Sequence, residues 1–159
     1  MSPVRSLVRK GAALLAALLV SFATVLVLTP AASAASGGYG SWPCSKTWAS
    51  RACVDLSAKR AWLKYKGSST IYGPVRIASG KPGYRTPTGT FTVKYKRKNY
   101  WSQQYDGPMP YSVFFTWQGH AFHYGSVQSG SHGCVRLTKT PARKFFFHLQ
   151  VGDKIQIVP

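Results

Sequence analysis

The strongest regularity along the chain is a period of two. Val54 and Leu56 alternate with Asp55 and Ser57, and Ala61, Leu63 and Tyr65 alternate with Trp62, Lys64 and Lys66. Phe91, Val93 and Tyr95 alternate with Thr92 and Lys94, and Tyr111, Val113, Phe115 and Trp117 stand opposite Ser112, Phe114 and Thr116. Such alternation predicts strands with one face on a core. Residues 70–78 read as extended, with Pro74 marking an edge or a bulge. Residues 121–124 and 155–158 read as two more strands, each entered from a glycine turn. One segment changes period: Thr140 suits an N-cap, Pro141 a first helical position, and Ala142, Phe145, Phe146 and Leu149 share one helical stripe. Short strands with one helix near the C-terminus predict a mainly β fold, a compact sandwich or barrel-like domain.

The first 34 residues follow neither pattern. Arg5, Arg9 and Lys10 precede an uncharged, largely apolar run of 17 residues, 12–28, followed by Ala32-Ser33-Ala34. A basic start, an apolar centre and a small-residue site describe a secretory signal peptide. The run is shorter than the roughly 20 residues of a spanning helix. Cleavage is expected after Ala34, giving a secreted protein of the cell wall or periplasm. Residues 35–52 then form a glycine-containing linker and a small loop, and 53–159 the folded domain.

Charge narrows the chemistry. The chain has 21 Lys+Arg against 3 acidic residues, all aspartates (Asp55, Asp106 and Asp153), for a formal charge of +18. A flanking pair of carboxylates for glycoside hydrolysis is excluded, as is a carboxylate cage for calcium or magnesium. Outside the cytoplasm, such charge points to anionic polymers or a membrane surface. Lys94-Tyr95-Lys96-Arg97-Lys98-Asn99-Tyr100-Trp101 interleaves cations with aromatics as single-strand nucleic-acid grooves do. In a secreted protein it reads instead as a solvated hairpin tip or a wall-facing surface, and no nucleic acid is expected.

Three cysteines divide into a pair and a singleton. In an oxidising compartment, Cys44 and Cys53 are expected to form a disulfide closing a short loop. Cys134 is left over, as a reactive thiol or an intermolecular bridge. His123, His132 and Cys134 lack the further ligand spacing of a zinc site, and no metal or cofactor is expected.

Cys134 sits in Ser131-His132-Gly133-Cys134, with Arg136 two residues on. A neighbouring imidazole or cation lowers a thiol's pKa and makes a thiolate nucleophile. His132 and Arg136 supply that setting locally, and His123 reaches it from the preceding strand. Backbone N–H groups of Gly133 and Cys134 suit an oxyanion hole.

Ser131-His132-Gly133-Cys134-Val135-Arg136-Leu137 resembles the active-site signature of the L,D-transpeptidase (YkuD-type) catalytic domain. Thr86-Pro87-Thr88-Gly89-Thr90-Phe91 is similar to its Thr-Pro-Thr-Gly loop, and Val151-Gly152-Asp153-Lys154-Ile155 to its closing turn and strand. The resemblance spans nearly the whole domain. It implies an extracytoplasmic enzyme acting on peptidoglycan stem peptides: the cysteine attacks a donor tetrapeptide, D-alanine leaves, and an acceptor amine resolves the thioester into a 3→3 cross-link. It further implies Cys134 as nucleophile, His123 as base, a catalytic part for His132, substrate contacts from Ser131, Tyr124 and Arg136, and covalent inhibition by carbapenem β-lactams. The spacing departs from the family pattern, because only 11 residues separate His123 from Cys134 and loop 125–130 is short. His120 is the alternative base. An L,D-carboxypeptidase using the same acyl-enzyme, and a non-catalytic basic wall-binding protein, are the alternative functions.

Overall fold

The computed structural model describes residues 41–45 and 49–159. The expected signal peptide, most of the linker and Trp48 lie outside the described residues. Eleven strands and one helix follow in chain order: β1 (Ala52–Asp55), β2 (Arg60–Lys64), β3 (Ile71–Ala78), β4 (Gly89–Thr92), β5 (Tyr95–Arg97), β6 (Trp101–Ser102), β7 (Gly107–Pro108), β8 (Ser112–Phe114), β9 (Ala121–Tyr124), β10 (Val135–Leu137), α1 (Lys139–His148) and β11 (Lys154–Val158). Nine strands form one sheet in the order β4-β11-β1-β2-β3-β10-β9-β8-β5, and β6 pairs with β7 in a small hairpin. Among the described residues, no helix is long and apolar enough to cross a membrane.

Most period-two positions face the core as the sequence predicts, but Tyr95 packs on Phe114 on the other side and Trp117 is exposed, because the strands end at Thr92 and Phe114. Ala61, Ile77, Val113, Phe122, Val135, Leu137, Ile155 and Ile157 all point into one core. Helix α1 covers that face through Ala142 and Phe145, and the Phe122 and Phe145 rings lie 5.1 Å apart. Burying each such side chain stabilises the fold by about 1.5–3 kcal/mol. The helix starts earlier than its stripe suggests. Thr138, not Thr140, is the N-cap, and it makes no side-chain cap bond. At the other end Lys96 reaches over from β5 and donates from Nζ to the Leu149 carbonyl at 2.6 Å. A cation there satisfies an orphan carbonyl and suits the negative end of the helix.

Pro74 marks a bulge rather than an edge. Strand β3 is central, and the β2–β3 register shifts between Ala61 and Leu63, beside a cis Gly73–Pro74 bond. Cys44 and Cys53 are bonded to each other, and Cys134 is a free thiol.

Strands β9 and β10 are adjacent and parallel. Parallel neighbours ordinarily need a crossover of about a dozen residues or more, yet 125–134 supplies ten. So short a connection has to return along the sheet. Ser131 is pinned there against the end of β3, its N–H donating to the Ser79 carbonyl at 2.8 Å and its carbonyl accepting from Lys81 N–H at 2.9 Å.

Candidate active site

Val135 pairs with Phe122 and Arg136 with His123. Extending this register puts Cys134 beside Ala121, on the sheet face opposite the core. His123 follows two residues along on the same face, about 7 Å away in a strand. The thiol Sγ donates to the Gly119 carbonyl at 3.6 Å and accepts from the Ala121 N–H. The short His–Cys spacing thus still brings the two residues to one face.

Cys134 opens onto a cavity of about 630 Å³ whose walls include Tyr84, Arg85, Tyr105, His120 and His132. The interleaved stretch 94–101 is not a free tip. Its β5 strand pairs with β8, Tyr95 stacks on Phe114 at 4.2 Å, and Tyr95, Tyr100 and Trp101 line this cavity. Sequence reasoning saw the aromatics but not their address. It had no signal for Gln103, Gln104 and Tyr105, which the β6–β7 turn brings to the wall.

Hydrogen bonds orient two histidines and fix the tautomer of one. His123 Nδ1 lies 2.8 Å from the Tyr124 carbonyl. A carbonyl only accepts, so Nδ1 carries the hydrogen and Nε2 presents a lone pair. His120 Nδ1 lies 2.9 Å from Thr116 Oγ1, and that oxygen already accepts the His120 backbone N–H at 3.0 Å. A hydroxyl has one hydrogen and two lone pairs, so this contact holds the His120 ring without choosing its tautomer.

Burial governs the titration of this site. It holds His123 down to about 4, with the Arg136 charge adding to the effect and the Tyr124 carbonyl opposing it. It also pushes the Cys134 thiol up, against the smaller lowering by the Ala121 N–H and Arg136. The low-pKa thiolate suggested by local sequence is therefore corrected: the resting pair is a neutral thiol and a neutral imidazole. His132 gives the sulfur no such setting, because its ring stacks on Tyr105 at 4.4 Å and meets Tyr84 edge-on at 4.7 Å.

Ser131 and Gly133 shape the nucleophile loop. Ser131 is buried, its hydroxyl donating to the Cys134 carbonyl at 2.5 Å and accepting the Gly133 N–H at 3.1 Å. A substrate contact from Ser131 is thus replaced by a bracing role, and the Gly133 N–H is not free for an oxyanion. Thr86 adds a clamp that motif reading did not assign: its hydroxyl donates to the Gly133 carbonyl at 2.9 Å and accepts from Gly80 N–H at 2.8 Å. Tyr124 contributes its carbonyl to His123 while its side chain is exposed. Arg136 is half-buried and donates from its guanidinium to the Ser129 carbonyl.

Gly133 has φ +109, and a Cβ there would stand 2.7 Å from His120 Cδ2 and 2.8 Å from Nε2. Gly133→Ala therefore both strains the backbone and displaces the ring that Thr116 holds. We expect a loss of about 1–3 kcal/mol in unfolding free energy and at least tenfold slower Cys134 acylation. Adding His120→Ala should recover part of the stability, measured by urea unfolding; no recovery would show that the clash is not with His120.

The sequence profile of YkuD, the L,D-transpeptidase catalytic domain, matches residues 49–157. The fold is similar to an L,D-transpeptidase from Stackebrandtia nassauensis, with TM-score 0.62, 30% identity, and coverage of 68% of this chain and 54% of that one. It is also similar to L,D-transpeptidase 1 of Mycobacterium tuberculosis (TM-score 0.57, 26% identity, 68% and 60% covered) and to LdtMt1 solved in complex with imipenem (TM-score 0.60, 26% identity, 67% and 57% covered). No curated protein sequence matches. The chain thus spans a little over half the length of these solved chains. With the profile matched across most of the chain and the fold shared, the chain belongs to the L,D-transpeptidase (YkuD) catalytic-domain family.

Proposed function

We propose that the protein is a secreted L,D-transpeptidase that forms 3→3 peptidoglycan cross-links through a thioester on Cys134. The observation that carries this reading is a free thiol at the wall of an open cavity, sharing a sheet face with an imidazole whose Nε2 lone pair is fixed by the Tyr124 carbonyl. A base oriented by a third group beside a nucleophile is the general arrangement for acyl transfer.

Cys134 Sγ attacks the carbonyl of the donor's third residue while His123 Nε2 takes the thiol proton. The N–H of Cys134 stabilises the oxyanion. Protonated His123 then gives its proton to the amine of the departing D-alanine, leaving the thioester. An acceptor amine in its neutral form attacks that thioester, loses a proton to His123, and the proton returns to the sulfur as the amide forms. Each half-reaction ends with His123 neutral. His132, between two tyrosines, shapes the substrate wall, and the exposed Arg97 and Lys98 hold the enzyme near anionic wall polymers.

Intact-mass analysis gives the test. Wild type should gain the mass of one carbapenem on the peptide containing Cys134, as the imipenem complex of LdtMt1 suggests, and Cys134→Ala should gain none. Purified stem tetrapeptide with an acceptor amine should give the cross-linked dimer. Tripeptide alone identifies a carboxypeptidase, and an unmodified, folded wild type identifies a wall-binding protein.

A further inference from the structure

A second cavity, of about 650 Å³, lies across the Gly80–Ser131 bridge from the first, between the end of β3 and residues 127–130. Its walls gather Lys59, Arg60, Arg76 and Lys81, and no acidic residue. The Cys134 cavity, by contrast, has Arg85 as its single Lys or Arg.

The sheet register makes these cations more than a scatter. Arg60 pairs with Arg76 across β2 and β3, and Arg136 pairs with Ala78 on one side and His123 on the other. Residues two apart on a strand share a face. Arg60, Arg76 and Arg136 therefore stand on the same face as His123 and Cys134, in a track leading away from the nucleophile. Like charges directly opposite each other across strands are destabilising. The nearest acid by register, Asp55, pairs with Arg60 but turns its carboxylate onto Ser57 Oγ and Ala58 N–H, both at 2.8 Å. Arg136 Nε is buried without a hydrogen-bond partner, at a cost in free energy, while the outer guanidinium nitrogen is held by Ser129. Lys59 is steadied by Ser79 Oγ at 2.7 Å and Arg76 by Gln128 Oε1 at 3.4 Å, both neutral partners.

We propose that this arginine track, flanked by Lys59 and Lys81, is a subsite for the free carboxylates of the stem peptide whose reacting carbonyl sits at Cys134. It rests on the transpeptidase reading, and it adds to it a preference for peptides whose carboxylates are not amidated. Arginine is suited to this because its planar fork donates two parallel N–H bonds to a carboxylate.

Equilibrium titration separates the subsite from the chemistry. Cys134→Ala protein is titrated with stem tetrapeptide bearing free carboxylates on its second and third residues, and with the same peptide amidated there. The free-acid peptide should bind at least tenfold more tightly. Arg60→Gln/Arg76→Gln added to that protein should erase the difference, whereas Lys66→Gln/Lys139→Gln, which removes equal charge from exposed sites elsewhere, should preserve it. Equal affinity for the two peptides, including no binding of either, overturns the subsite, as does a preference that survives in the arginine variant. If the arginine variant instead loses binding of polyglycerol phosphate alone, the track holds phosphodiesters and the proposal is also overturned. Wild-type turnover of the same peptides reads the transpeptidase activity independently: binding with discrimination but no product would retire the activity and keep the subsite.

Discussion

His123→Ala slows carbapenem acylation of Cys134 by about 10²–10⁴-fold, the usual contribution of a positioned general base, while His120→Ala slows it less than tenfold. Distance alone does not decide between them, since His120 lines the Cys134 cavity and lies against Gly133. Proton inventory does. The Tyr124 carbonyl forces the hydrogen of His123 onto Nδ1 and leaves Nε2 free to take the thiol proton. His120 Nδ1 is held by a hydroxyl, which donates or accepts, so its partner does not reserve a lone pair on Nε2 for the sulfur. Rates come from intact-mass time courses on the two variants and wild type. Equal losses, or a greater loss for His120→Ala, would move the base to His120.

Much of this was readable from residue order. Alternation located β2 and β8, because each turns successive residues toward and away from the main core, whereas β9 was read only as the strand that follows the Gly119-His120 turn. The unpaired Cys134 followed from counting in an oxidising compartment, and the Ser131–Leu137 signature supplied its role. What was not legible came from tertiary placement. Strand β10 has three residues and overlaps the signature, so periodicity had too little length to act on. The tautomer of His123 depends on a backbone carbonyl, which no side-chain pattern encodes. The resemblance implied a substrate contact from Ser131, but the tight return of loop 125–134 buries it as a brace. The local rule that cations beside a cysteine lower its pKa failed because burial outweighs them.

The two cavities differ in the chemistry of their walls. The one at Cys134 is walled by Tyr95, Tyr100, Trp101 and Tyr105, which offer broad apolar faces with polar edges. The other offers charge. Between them run Ser131 and Gly80, tied by backbone hydrogen bonds and by the Thr86 clamp. Since Thr86 bonds both Gly80 and the Gly133 carbonyl, the partition between the cavities and the nucleophile loop are held as one rigid piece. That is the condition under which a thiol keeps its geometry without an ion-pair partner.

Acylation by a carbapenem remains at about nine-tenths of its neutral rate at pH 5. The reaction needs His123 with a free lone pair, so its acid limb follows the pKa of that imidazole in the folded protein. Burial, with help from Arg136, holds it at about 4. At pH 5 about 90% of the imidazole is then neutral, against about 3% for one with the ordinary pKa near 6.5, roughly a thirtyfold difference in rate. Because burial also raises the thiol, no thiolate titration intervenes below neutrality, and the profile should stay flat from pH 5 to 7. Linkage imposes a cost on the same window. The unfolded chain protonates His123 near pH 6.5 while the folded chain refuses the proton until about 4. Stability from this group is therefore full above 6.5 and falls by about 3 kcal/mol as the pH drops to 4. Circular dichroism at each pH separates that loss from the chemistry. Second-order acylation rates between pH 3.5 and 7, measured on folded protein, should bend near pH 4; a bend near 6.5 would mean that a solvent-exposed imidazole takes the proton, and that buried His123 is not the base.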